Sequence, residues 1–529
     1  MNKNESGVIF MEIKTDTQFT RNVKCADVYT ESFADYSLPD YLGDVRKILF
    51  TEASVRPAGR FASGDEIELS GVVIYNLIYL DSEGKLSSAE FTSDYDYSVK
   101  CNGEKYKDSV SDTRVSSFGV RAAGPRKLTA RASLVGSVRV SETDTVEVMG
   151  DAFEMTDAPE INTKTVKIHK MISSSTTERE FAESIARLDG AIADEVRVVY
   201  SIAEPCVENV DLDGSNVALR GKLCMRVVIQ NDSEPAYLVD KTVDFDENVA
   251  FDDDCGDMKL SPSVAVTSVK TNINPDDSGC NITMSCILEF SSVGEKNEPV
   301  SLALDGYLVS SATDNRYDDF KYNELVDFIS LHESHTAEVA KSELGEDAID
   351  DIIFVSATPK IESINKDGDE IKISGEVKYS GIYASNTDAS TGYSMLKFSS
   401  PFEIKANKSC QNNENRQVFV KITANSASAY VSENKMCASC ILDALINVVE
   451  EKNEKILVSL TVKEDEEIVE NEGRITVYYP SDDDTLFSVA KRFRTSAVKV
   501  AADNELTESV FADDGEGGKL VGVKRLLIY

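Results

Sequence analysis

No run of apolar residues in the chain approaches the ~18 needed for a membrane-spanning helix. The segment Gly7-Val8-Ile9-Phe10-Met11 is too short for the core of a secretory signal, and no small-residue cleavage pattern follows it. Met11 therefore stands beside Met1 as an alternative start. Tryptophan is absent. Proline (12) and glycine (28) are too scarce, among 529 residues, for a collagen-like or linker-dominated architecture. Basic charge is short as well: 55 Lys and Arg face 93 Asp and Glu, a net charge of −38. Phosphate backbones and anionic membrane surfaces need cations, so neither nucleic acid nor a membrane is expected as partner. The acidity fits basic or neutral polar partners, and by itself also keeps a β-rich protein soluble. Ten cysteines lie scattered without a leader, and they read as reduced, buried thiols of a cytosolic protein.

What is present is an ordinary apolar fraction, 41%, in a chain long enough for three or four domains. Its most informative feature is self-similarity. Ile67-Glu68-Leu69-Ser70-Gly71-Val72-Val73-Ile74-Tyr75 has counterparts in Val217-Ala218-Leu219-Arg220-Gly221-Lys222-Leu223-Cys224-Met225 and Ile371-Lys372-Ile373-Ser374-Gly375-Glu376-Val377-Lys378-Tyr379. All three alternate at the strand period. Their glycines are 150 and 154 residues apart, and a glycine inside a strand predicts a bulge or a close backbone approach. Tyr95 and Phe245 each follow their glycine by 24 residues. Ser285-Cys286-Ile287-Leu288 and Ser439-Cys440-Ile441-Leu442 share an offset, and Arg131-Ala132-Ser133-Leu134 sits four residues earlier in the first copy. Strand phase places Cys286 with Met284 and Leu288, and Cys440 with Ala438 and Leu442, which predicts buried, unpaired thiols. Ahead of each glycine stand Leu38-Pro39-Asp40-Tyr41-Leu42, Ala191-Ile192-Ala193-Asp194-Glu195 and Asp347-Ala348-Ile349-Asp350-Asp351, each read as a single helical turn. Phe181, Ile185 and Leu188 predict a helix over 178–188, with a counterpart at 322–329. The fold expected is mainly β: three repeated β-sandwich or barrel-like modules at 1–150, 151–310 and 311–470, followed by a smaller unit at 471–529.

That last unit follows the charged stretch Lys463-Glu464-Asp465-Glu466-Glu467. Ile475, Val477 and Tyr479 alternate as a strand. Pro480-Ser481-Asp482-Asp483-Asp484-Thr485 forms a turn with capping residues. Leu486, Val489, Ala490 and Phe493 have helical spacing. Thr495 or Ser496 can cap a second helix that Asn504 ends, and Leu526-Leu527-Ile528-Tyr529 closes as a strand. Residues 474–529 hold eight Lys and Arg against nine Asp and Glu, so they carry −1 and the remainder −37.

No catalytic constellation and no cofactor site is legible. His332 and His335 have no Cys or third His to complete a zinc site, and read as surface residues. Cys437-Ala438-Ser439-Cys440 has metal or redox spacing, but Cys440 falls in a repeated strand. No phosphate loop or nucleophile elbow appears. Asp252, Asp253 and Asp254 lack the Gly and Glu spacing of a calcium loop. A hydrolase hidden in the β modules is the weakest reading.

The Leu-Pro-Asp segment, the glycine-centred strand followed by Ile-Tyr-Leu, and the repetition itself resemble the SPOCS domain of spore-coat proteins across most of the first 470 residues. The tail resembles LysM: Asp484-Thr485-Leu486, Val489-Ala490-Lys491-Arg492-Phe493, Asn504-Glu505-Leu506 and Val521-Gly522-Val523-Lys524 match its steps in order. Asp483 replaces the glycine usual before Asp-Thr, Val523 replaces the usual Gln, and 507–519 is a long acidic loop. The resemblance implies a non-enzymatic scaffold on the mother-cell side of the developing spore. Its implied partners are spore-coat proteins, the coat's basement-layer ATPase among them, or alternatively peptidoglycan. It places a glycan groove near Asp482, Asp483, Asp484, Thr485, Asn504, Glu505 and Leu506, although capping and turn formation alone explain Asp484, Thr485 and Asn504. Lys491, Arg492, Arg494 and Lys499 offer a separate basic face for a protein partner.

Overall fold

The computed structural model describes residues 15–529 except 25–26, 102–105, 149–158, 232–233, 253, 345–348, 368–369, 388–389, 408–414, 464–474, 507–517 and 521. The chain is mainly β. Its first stretch holds β1 (Thr15–Lys24), β2 (Val28–Ser37), β3 (Val45–Val55), β4 (Gly59–Ser63), β5 (Glu66–Asp81), β6 (Leu86–Lys100), β7 (Tyr106–Gly124) and β8 (Lys127–Val148). The second holds β9 (Glu160–Ser173), β10 (Thr177–Asp189), β11 (Val196–Asp213), β12 (Asn216–Asn231), β13 (Glu234–Ala250), β14 (Lys259–Asp276) and β15 (Gly279–Tyr307). The third holds β16 (Thr313–Ala340), β17 (Asp351–Asp367), β18 (Glu370–Thr387), β19 (Ser390–Asn407), β20 (Arg416–Ser432) and β21 (Lys435–Val462).

Each stretch builds the same two sheets. A long last strand, β8, β15 or β21, pairs along one edge with the stretch's opening strands and along the other with β7, β14 or β20. An antiparallel meander forms the second sheet: β3/β4–β5–β6, β11–β12–β13 and β17–β18–β19. The two sheets share one apolar core in every stretch. Alternating inward side chains fill it, with Met284, Cys286 and Leu288 in one copy and Ala438, Cys440 and Leu442 in another, all buried. Both cysteines are free thiols. Among the described residues no sheet closes on itself, so the arrangement is sandwich-like and the barrel alternative falls.

The three glycines lie in the central meander strands, opposite Tyr95, Phe245 and Phe402. A Cβ on Gly221 would stand 2.0 Å from the Cys206 carbonyl, and one on Gly375 2.1 Å from that of Lys360. Register shifts between Val207 and Asn209 and between Ile361 and Ser363 push those carbonyls inward. Bulge and close approach therefore occur together.

The helix expected over 178–188 is strand β10, and its counterpart at 322–329 lies within strand β16. A bulge explains both errors. In β10 the register shifts between Ser184 and Ala186, and in β16 between Leu325 and Asp327. One inserted residue turns the even spacing of inward side chains into steps of three and four, which imitate a helix. Of the expected helical turns, Pro39–Leu42 is a hydrogen-bonded turn and Ala193–Glu195 a single 3₁₀ turn. In the third copy 345–348 lies outside the described residues, and β17 starts at Asp351.

The three meanders meet at one apolar joint. Phe50, Tyr200 and Phe354 each precede their glycine by 21 residues. Their rings contact pairwise, with centroids 5.5, 4.9 and 5.3 Å apart. Leu49, Val199 and Ile353, each at a bulge, join Ile78, Val228 and Ile382 in the same cluster. Equivalent residues in mutual contact define an approximate three-fold arrangement. The long strands meet at a second, polar joint. Glu295 is wholly buried and accepts from Arg139 Nη1 at 2.8 Å and Asn447 Nδ2 at 2.7 Å, with His169 Nε2 at 3.0 Å. One carboxylate thus ties β8, β9, β15 and β21 together.

Among the described residues no helix is long and apolar enough to cross a membrane.

Candidate functional site

The C-terminal unit runs strand, helix, helix, strand: β22 (Thr476–Tyr478), α1 (Leu486–Phe493), α2 (Ala497–Asp503) and β23 (Leu526–Ile528). The two strands pair antiparallel. Leu486, Phe487, Val489, Ala490, Val500 and Ala501 bury the helix faces against Leu526 and Ile528. The unit's apolar alternation has the opposite sense to the one sequence suggests. Ile475, Val477 and Tyr479 are exposed, and Tyr478 turns inward.

Four of the groove residues carried over by resemblance build the fold. Asp484 is buried and accepts from the Tyr478 hydroxyl at 2.6 Å and from Ser481 N and Oγ. These bonds hold its carboxyl below the ordinary value, Tyr478 first among them. Thr485 caps α1, accepting from Ser488 N, while Ser488 Oγ returns a bond from Thr485 N. Asn504 ends α2 and fastens the last strand: its Nδ2 donates to Val500 O and Leu527 O, and its Oδ1 accepts from Leu527 N. Leu506 packs against the apolar cluster. Asp482, Asp483 and Glu505 are exposed, Glu505 at φ 52°. Most of the acidic loop, 507–517, and Val521 lie outside the described residues, as do 464–474.

The basic residues divide in two. Lys491 does not offer a free charge. Its Nζ lies 2.7 and 2.6 Å from the two oxygens of Asp305, beside the end of β15. Burial alone would raise the Asp305 carboxyl. Lys491 and the Tyr317 hydroxyl outweigh it and hold the group below its ordinary range. Next to this pair, the Tyr307 hydroxyl donates to Thr495 O at 2.7 Å and its ring meets Phe487 at 5.3 Å. Asp305 and Tyr307 thus mount the unit on the rest of the chain. Arg492 stacks on Tyr478 and reaches Asp484 at 3.6 Å. Arg494 and Lys499 are exposed and form no ion pair among the described residues, Arg494 closing α1 at φ 50°. Sequence reasoning missed Asp305 and Tyr307, because nothing local marks a contact some 186 residues away.

The histidines also sort differently. His332 and His335 lie on a strand, where a spacing of three puts them on opposite faces. His332 Nδ1 meets Asp443 at 2.5 Å, and His335 Nδ1 shares a hydrogen bond with the Tyr379 hydroxyl at 2.8 Å. Among the described residues no three His, Cys, Asp or Glu side chains are grouped to hold a metal.

Comparison with known proteins brings no match: no protein-family model, no curated protein and no solved structure is similar to the chain.

Proposed function

We propose that the chain is a non-enzymatic scaffold in spore-coat assembly, docking on a coat protein through its C-terminal unit on the mother-cell side of the developing spore. The coat assignment rests on the SPOCS and LysM resemblances of the sequence. The observation that favours docking is the mounting of the C-terminal unit. Lys491 and the Phe487 face hold it against the three-part body, while Arg494 and Lys499 face outward from a chain that is otherwise strongly acidic. A fixed mount orients one binding surface relative to several others, and multivalent attachment then raises apparent affinity without strong single contacts.

The test is a fluorescent fusion followed through spore formation. A ring around the developing spore supports the proposal; diffuse signal throughout sporulation contradicts it. The second reading, binding of N-acetylglucosamine polymers, is less favoured. Asp484, Thr485 and Asn504 spend their polar atoms on the fold, and the exposed groove residues left over are three carboxylates. Titration of the full chain with chito-oligosaccharide separates the readings, because saturable binding that Glu505→Ala weakens supports the glycan.

A further inference from the structure

The approximate three-fold repeat supplies an internal comparison. Ala132, Cys286 and Cys440 are equivalent buried positions on the long strands. The residues before them face outward, paired with Phe33, Ala182 and Thr336. Four positions earlier on the same opening strands come Tyr29, Glu178 and His332. At these two positions the other stretches thus carry small or polar residues. The first puts Tyr29 and Phe33 there, 77% and 62% exposed. Neither ring is needed for the shared fold. Beside Phe33, β7 and β8 form an open trough of about 910 Å³. A Cβ on Gly119 in its wall would meet nothing within 4 Å. Arg131 stacks over Phe33 at 5.1 Å and reaches Glu31. Arg121 is exposed, donates to Thr129 Oγ1 at 3.3 Å and forms no ion pair among the described residues. Its equivalents are Asn272 and Tyr430.

We propose that this outer face of the first sheet pair is a second docking surface, taking an extended acidic segment of a partner protein whose carboxylates meet Arg121 and Arg131 and whose apolar side chains cover Phe33 and Tyr29. Charge complementarity selects the occupant. Arg121, without an ion pair among the described residues, stands beside an exposed aromatic pair on a chain of net charge −38, and a guanidinium matches carboxylate geometry; Asp35, which also lines the trough, lies 3.7 Å from Lys127 Nζ. The exposed Arg131–Glu31 pair is weak enough to exchange for a partner's carboxylate.

The probe is a fluorescein-labelled Gly-Asp-Glu-Phe-Asp-Glu-Leu-Gly peptide, titrated by anisotropy with the full chain against its Lys/Arg counterpart. Phe33→Thr and Arg121→Asn graft residues that the other two stretches already carry at these positions, so the fold tolerates them. The acidic peptide binds, and each graft weakens it about tenfold with unfolding midpoints unchanged. Absence of binding, equal binding of the basic peptide, or affinity indifferent to both grafts overturns the proposal. A dimer that Phe33→Thr dissociates also overturns it, because the occupant is then a second copy.

Discussion

Three glycines at equivalent positions are not under equal constraint. At Gly221 and Gly375 an added methyl meets a carbonyl of the neighbouring strand, which cannot move without breaking the ladder. At Gly71 it meets only the end of the Tyr95 ring, because the edge is interrupted between β3 and β4 and no bulge carbonyl faces it. Gly221→Ala and Gly375→Ala are each expected to cost about 1–3 kcal/mol more than Gly71→Ala, measured by denaturant unfolding. Equal costs would refute the bulge account. Cys286 is the other informative residue. Burial pushes its thiol up to about 11, so little thiolate exists at neutral pH. Native Cys286 and Cys440 should label at least tenfold more slowly than in denaturant; fast native labelling would contradict their burial. Both readings were legible, since strand alternation fixes facing once the phase is known. The partner of Gly375 was not, because Phe402 stands 27 residues on rather than 24.

At the scale of elements, bulges decide what the sequence conceals. The apolar spacing in β10 and β16 is that of a helix, and only cross-strand pairing reveals the inserted residue. The first C-terminal helix was legible because its cap is local, Thr485 and Ser488 lying within one turn; Ser496 stands at the N-cap of the second without a side-chain capping bond. The joint of Phe50, Tyr200 and Phe354 was hidden, since alternation marks each residue as buried but not against what. Tyr200 differs from its equivalents by a hydroxyl that donates to Glu52 Oε2 at 2.6 Å. Tyr200→Phe should therefore cost only about 1 kcal/mol, whereas Phe354→Ala should cost about 3–5 kcal/mol by opening a cavity among three sheets. Calorimetry distinguishes them, and a negligible loss for Phe354→Ala would remove the joint from the account.

For the whole molecule, one buried carboxylate, Glu295, and one half-buried, Asp305, connect parts that are far apart in sequence. Burial would raise the Glu295 carboxyl, yet His169 and Arg139 together hold it below its ordinary value. A depressed carboxylate stabilises the fold above the unfolded-state value, near 4.3, and that contribution is lost as pH falls through the folded-state value. Glu295→Gln should cost about 3–5 kcal/mol at pH 7 and flatten the acid limb of the stability profile, because it leaves Arg139 uncompensated. Asp305 follows the same sign. Asp305→Asn, like acidification, should loosen the C-terminal unit from the body, read by calorimetry as a separate, earlier transition of that unit, without unfolding the sheets. The measurement that bears most directly on the scaffold account is recruitment of a chain lacking residues 474–529 to the surface of the developing spore, with Arg494→Glu/Lys499→Glu in the full chain as its companion. The account predicts a folded truncated chain that stays diffuse, and a charge reversal that weakens the ring; a normal ring from the truncated chain would contradict it.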